Sequence, residues 1–183
     1  MRKDKFMDLL DKEEYSYFEQ GGKIIIDEPS LFDLDIPSIP SGVVFRNGGD
    51  VYLDYVTFIP KGTEFENDGH VFVQGAISLS EGIKFRNRGD VNMESIRSFD
   101  VDIIFKNSGD LKFDLLNNIN RPIIFQNRES IFFSSGSLPN FSKGVRFENG
   151  KGITVYDENI KSFFIPGIKQ SRILNCMIKQ IYG

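Results

Sequence analysis

Residues 51–70 read VYLDYVTFIPKGTEFENDGH, and the same pattern returns on both sides of them every 20 residues. Phe-x-Asn falls at Phe45/Asn47, Phe65/Asn67, Phe85/Asn87, Phe105/Asn107, Phe125/Asn127 and Phe147/Asn149, spaced by 20 four times and then by 22. A second set of columns keeps the beat: Val51, Val71, Val91, Leu111, Ile131 and Ile153, then Leu53, Val73, Met93, Phe113, Phe133 and Val155. Self-similarity at a fixed short period is the signature of a repeat architecture, in which each unit buries its apolar face against its neighbours.

Within the unit, Val51 and Leu53 alternate with Tyr52 and Asp54, the period of a strand with one buried face. Val56 and Ile59 are three apart, so the chain is expected to leave the strand and round a corner there. Pro60 and Gly62 then mark a turn, and Thr63, Phe65 and Asn67 make a second alternating strand. The column Gly49, Gly69, Gly89, Gly109 says that one corner repeatedly asks for a residue without a side chain. The fold expected is all-β: a single parallel β-solenoid of about seven 20-residue coils with small terminal caps. With strands about 4.8 Å apart, the coils form a rod of roughly 30 to 35 Å. The phenylalanines from Phe45 to Phe147 stack in its core. The asparagines are expected to bond their amides to the coil above and to local backbone, as in stacked parallel sheets.

Working outward, residues 22–41 recover the register when shifted by 20: Gly22 falls on Gly42, Ile25 on Phe45, Leu31 on Val51, Ile36 on Val56, Ile39 on Ile59 and Pro40 on Pro60. They make a degenerate first coil. Residues 3–19 place Phe6, Leu9, Leu10 and Tyr17 at helical spacing opposite Asp4, Asp8 and Asp11, and Gly21-Gly22 stops the pattern. Residues 1–21 are therefore read as an N-terminal capping helix, 22–164 as the solenoid and 165–183 as a C-terminal cap that starts with a turn at Ile165-Pro166-Gly167. Glu129 breaks the glycine column, and two extra residues within 133–144 predict a bulge or protruding loop at a corner.

The 20-residue period, the V-x-L strand and the recurring Ile-Pro-x-Gly at 39–42 and 59–62 resemble short leucine-rich-repeat-like β-solenoids of bacterial and phage genomes. Those repeats carry an asparagine three places after their strand, where this chain has Val56, Ala76, Ile96 and Leu116. The asparagines here sit on the opposite leg, which favours a straighter β-helix over a horseshoe. No functional residue carries over, and the resemblance implies protein binding.

The residues offer little chemistry. The formal net charge of -4 and pI near 5.1 argue against generic affinity for nucleic acid or anionic membrane. The single cysteine, Cys176, excludes an internal disulfide and fits a small buried residue. His70 is the only histidine and stands in the corner column of Asp50, Asp90 and Asp110, so it reads as a corner residue rather than a base. Those aspartates, with Asp54, Glu94 and Asp114, form an acidic edge. It lacks the nonapeptide spacing of calcium-binding solenoids, and a carbohydrate groove usually offers tryptophan, of which there is none. No nucleotide-binding glycine loop stands between a strand and a helix. No cofactor, metal or catalytic residue is expected.

The N-terminus lacks a signal-peptide pattern and no apolar run reaches ~20 residues. A cytoplasmic location is expected, the host cytoplasm if the chain is phage-encoded. Two outward features remain. Tyr52, Phe72 and nearby Tyr55 are large aromatics on the outer side of the first leg, and Arg46, Arg86, Arg88 and Lys106 form a patchy basic stripe on the second. Exposed Tyr, Phe and Arg are favoured interface residues. The expected function is that of a non-enzymatic scaffold, monomeric or a small homo-oligomer. It would bind a host protein or ribonucleoprotein complex rather than nucleic acid directly, as an anti-CRISPR or other host-defence inhibitor does. A self-associating subunit of a virion or surface assembly is the alternative.

Overall fold

The computed structural model describes residues 1–76, 78–134, 139–142, 145–149, 152–155 and 163–166. The chain is a β-solenoid of stacked coils. One sheet collects the Phe-x-Asn legs, from Lys23–Ile26 through Val43–Phe45, Glu64–Phe65, Ile83–Phe85, Ile103–Asn107 and Ile124–Asn127 to Arg146–Asn149. A second collects the V-x-L legs, from Phe32–Asp33 through Val51–Tyr52, Val71–Phe72, Val91–Met93, Leu111–Phe113 and Ser130–Phe133 to Gly152–Val155. All of these strands run parallel to their neighbours, with Phe65 opposite Phe45 and Phe85, and Val71 opposite Val51 and Val91.

The corner expected at Val56–Ile59 is a third side instead. Short strands at Phe58–Ile59 and Ser78–Leu79 pair with each other, and Ser98–Phe99, Asn118–Ile119 and Asn140–Phe141 form a further parallel set. Two residues suffice to alternate here: Phe58 faces out and Ile59 is buried. A three-residue apolar spacing thus spans a turn at Val56 and the inward end of a new strand.

The core is continuous. Phe45, Phe65, Phe85, Phe105 and Phe125 are fully buried, and successive rings stack with centroids 4.7 to 5.1 Å apart. That spacing is the inter-strand distance, so the ladder hydrogen bonds and the ring stack reinforce one register. The asparagine column is buried as expected, but not as an amide-to-amide ladder. The amides turn mainly along their own coil: Asn87 Nδ2 donates to Gly89 O at 2.9 Å and Asp90 O at 3.5 Å, and Asn47, Asn67 and Asn107 repeat the arrangement. Asn47 and Asn67 also reach the preceding coil at Ser30 O and Gly49 O, both at 3.5 Å. The corner carbonyls claim the NH2 group, which leaves the Oδ1 atoms without a protein donor. Where Glu129 replaces glycine, Asn127 Nδ2 donates to Ser130 O instead. An amide-to-amide bond occurs on the third side, from Asn140 Nδ2 to Asn118 Oδ1.

The first coil is slipped by one residue from the expected alignment. Ile26 pairs with Phe45 and Phe32 with Val51, an offset of 19. A one-residue slip exchanges the faces of a strand, so Phe32 is buried and Leu31 lies exposed. The run Ile24-Ile25-Ile26 carries no alternation to settle this, and the bulk of Phe32 does. The helix is also shorter than expected, Lys3–Lys12. Tyr17–Gln20 is a strand, antiparallel to Lys23–Ile26, and Gly21 and Gly22 form its two-residue turn with φ of 58° and 78°. A Gly-Gly pair with both φ positive is the turn that matches strand twist, so the glycines close a hairpin rather than a helix. Phe6 and Leu10 bury against the core at this end.

At the other end Phe163–Pro166 pairs antiparallel with Gly152–Val155, so Ile165 and Pro166 finish a strand rather than open a turn. The rest of the expected cap, 167–183, lies outside the described residues. The two inserted residues fall between Phe133, which keeps an offset of 20 from Phe113, and Asn140, offset by 22 from Asn118. The expected loop itself, at 135–138, is also outside the described residues. No helix among those described is long and apolar enough to cross a membrane.

Candidate functional site

The outer face of the V-x-L sheet is set by its register. Parallel in-register pairing lines up Asp33, Tyr52, Phe72, Asn92, Lys112 and Phe132. Tyr52 and Phe72 therefore meet, with ring centroids 4.5 Å apart and planes 12° from parallel. Both rings are half-buried, and neither belongs to the core cluster. The N-terminal helix sends its buried side chains into the core instead. Tyr55 is 63% exposed at the next corner. Of the three aromatics expected to act together, the fold stacks two and sets the third beside them without a ring contact.

Carboxylates surround this pair. Asp50 and Asp54 lie just outside the Val51–Tyr52 strand, two residues before and after Tyr52, and their charges act on its hydroxyl. The slipped first coil adds Asp33 directly opposite Tyr52 and brings Asp35 near Asp54. None of these four has an ion-pair partner among the described residues. Burial, then the charges of Asp33 and Asp35, hold the Asp54 carboxyl above its usual value despite a bond from the Gln74 N–H. The same effects, burial first and then Asp50, Asp54 and Asp33, raise the Tyr52 phenol. Asp33 is anchored through its backbone, its N–H donating to Tyr15 Oη and its carbonyl accepting from the same hydroxyl.

The corner column has a structural task. Asp50 Oδ1 accepts the His70 N–H at 2.7 Å, His70 Nδ1 accepts the Asp90 N–H at 3.0 Å, Asp90 Oδ1 accepts the Asp110 N–H at 2.8 Å, and Asp110 Oδ1 accepts the Ser130 N–H at 2.9 Å. Each side chain caps the backbone of the next coil, and His70 serves where aspartate serves elsewhere. Among the described residues no three carboxylate, imidazole or thiol groups gather into a cluster fit for a metal ion.

The basic stripe is largely neutralised by the fold. Glu66 lies between Arg46 and Arg86 and pairs with both, at 3.3 and 3.2 Å, while Arg88 pairs with Asp68 at 3.0 Å. Beside them the buried Glu64 accepts from Lys23 at 2.6 Å and Lys84 at 2.8 Å. Burial opposes ionisation of Glu64, but the two lysines outweigh it and hold its carboxyl below the usual range. Lys106 has no ion pair among the described residues. It borders a shallow depression of about 340 Å³ with exposed Ile104 and Ile124, which are cross-strand neighbours.

Sequence reasoning missed Asp33, Asp35 and Glu64. The first two were legible: Asp33-Leu34-Asp35 reads as Tyr52-Leu53-Asp54 at a spacing of 19, with Leu34 packed on the core. Glu64 stands in an outward column beside Val44 and Lys84, and its burial arises only when lysines from two other coils reach across it. Comparison of the chain with family models, with curated proteins and with solved structures finds no match, so the fold and these faces are what characterise it.

Proposed function

We propose that the protein is a non-enzymatic scaffold that binds another protein through the outer face of its V-x-L sheet. The observation that carries this is the Tyr52–Phe72 stack, two large rings held partly in water on a rigid sheet and outside the core. Rigid aromatics lose little side-chain freedom on binding and supply most of the energy in interface centres. The second leg supports a partner less well, since Arg46, Arg86 and Arg88 are already paired. That pairing also leaves little free positive charge for a phosphate backbone, which favours a protein surface over direct contact with nucleic acid. Occlusion of a host defence machine, including an anti-CRISPR role in a phage, is the form of this reading that the leucine-rich-repeat-like pattern suggests.

Self-assembly is less favoured by the ends of the molecule. The helix covers the first coil, and antiparallel strands at Tyr17–Gln20 and Phe163–Pro166 interrupt the parallel pairing that end-to-end stacking would extend. Light scattering on the purified chain tests this, with a monomer or small oligomer expected. Capture from nuclease-treated bacterial lysate by wild type and by the double variant Tyr52→Ser/Phe72→Ser tests the face. The variant should lose the captured protein with little change in melting temperature. Equal capture by both forms, or large species of the chain alone, would sink the proposal.

A further inference from the structure

Tyr52 has different neighbours on its two sides. Phe72 stacks on one side of the ring, and on the other side the adjacent strand carries Asp33. A cation on the Asp33 side of the ring meets the negative π-face and a carboxylate together. Asp50 and Asp54 also act on the Tyr52 hydroxyl and Asp35 acts on Asp54, although Asp50 and Asp54 accept the His70 and Gln74 N–H groups of the next coil. All four carboxylates lack an ion-pair partner among the described residues. Resting on the binding-face reading above, we infer that the Tyr52–Phe72 stack, with Asp33, Asp35, Asp50 and Asp54, docks an arginine- and lysine-rich segment of a partner protein.

Charge decides the class of partner. The Phe-x-Asn sheet balances its arginines with glutamates from adjacent coils, whereas this part of the V-x-L sheet leaves its carboxylates uncompensated. Phosphates of nucleic acid or of an anionic lipid surface are repelled here, and an acidic protein is repelled equally. Crowding among the carboxylates already disfavours the ionised form of Asp54, so an arriving guanidinium or ammonium group gains by relieving it. Asp33 and Asp54 are exposed, and asparagine at 54 keeps an acceptor for the Gln74 N–H, so both can be changed without touching the core.

The test is fluorescence anisotropy with labelled nona-arginine and, as a control, nona-glutamate, at fixed salt. Wild type should bind nona-arginine and not nona-glutamate. Asp33→Asn/Asp54→Asn and Tyr52→Ser/Phe72→Ser should each weaken binding by about tenfold, the scale of a lost cation–π contact with its neighbouring charge. Asp27→Asn/Asp102→Asn removes as much charge from exposed positions elsewhere and should change affinity less than about twofold. Affinity should also rise with pH through the raised Asp54 value, because the cation favours the ionised carboxylate. Equal losses in the two aspartate variants would mean bulk charge alone and overturn the inference, as would binding that ignores Asp33→Asn/Asp54→Asn. If the serine variant loses its captured protein while nona-arginine binding is untouched, the cationic partner is wrong and the binding face stands. If neither readout responds to the serine variant, both fall.

Discussion

At the scale of single residues, the asparagine column shows how little freedom a repeated buried polar position has. Asn87 Nδ2 faces two carbonyl oxygens, Gly89 O at 2.9 Å and Asp90 O at 3.5 Å. A donor is required there, and size alone does not satisfy the site. Asn87→Asp keeps the shape but sets a carboxylate oxygen against those carbonyls, whereas Asn87→Ala removes the side chain and leaves only lost bonds and a small void. The aspartate variant should therefore be the less stable of the two near neutral pH. The alanine variant should lose about 1–3 kcal/mol, the cost of a buried hydrogen bond with its desolvated partner. Urea denaturation of both variants at pH 7 checks the order. An alanine variant worse than the aspartate would show that the column is held by packing and not by its donor.

At the scale of the coil, two glycine columns do different things. Gly82 stands at the turn where other coils carry Pro40-x-Gly42 and Pro60-x-Gly62 and this one Ser80-x-Gly82. It has φ of 75° and open space where a Cβ would sit, so Gly82→Ala costs only the strain of left-handed backbone, about 1–2 kcal/mol. Gly89 has no such dihedral, but a Cβ there would sit 2.3 Å from the Gly69 carbonyl oxygen in the coil below. Relief requires two backbones to move apart, and ladder bonds on both sides resist it. Gly89→Ala should therefore destabilise more than Gly82→Ala, by thermal denaturation of the pair; the reverse order would place the constraint in the turn. The sequence showed both columns, because a period of 20 survives wherever coils contact each other. It showed Tyr52 beside Phe72 for the same reason. It did not show the third side, where a two-residue strand is too short to carry a period. It also misplaced the first coil, where Ile24, Ile25 and Ile26 fit either face. The acidic wall of the candidate site was lost with that single-residue slip, since Asp33 and Asp35 join Tyr52 and Asp54 only at an offset of 19.

At the scale of the whole molecule, a stack of coils is held mainly by nearest-neighbour contacts, and a bond that skips a coil is therefore unusual. Glu64 makes one. Lys23 comes from the first coil, 41 residues away, and Lys84 from the coil after Glu64, 20 residues away. One buried carboxylate thus ties three coils across a span of four. Removing its charge by Glu64→Gln should cost about 1–2 kcal/mol at pH 7, below the ~3–5 of a fully buried pair because both lysines remain partly in water. The pH dependence follows from the direction of the shift. The folded carboxyl lies below its ordinary value of 4.5, so its contribution is complete above that value and disappears as pH falls through the lowered folded one. Wild type and Glu64→Gln should thus differ by a constant amount from pH 7 to about 5 and converge in more acid solution, where the glutamate is itself neutral. Denaturant midpoints of the two forms across that range decide it. A difference that persists into acid would assign the effect of Glu64 to packing between coils, and a difference absent at pH 7 would mean that the lysines contribute nothing to the clamp.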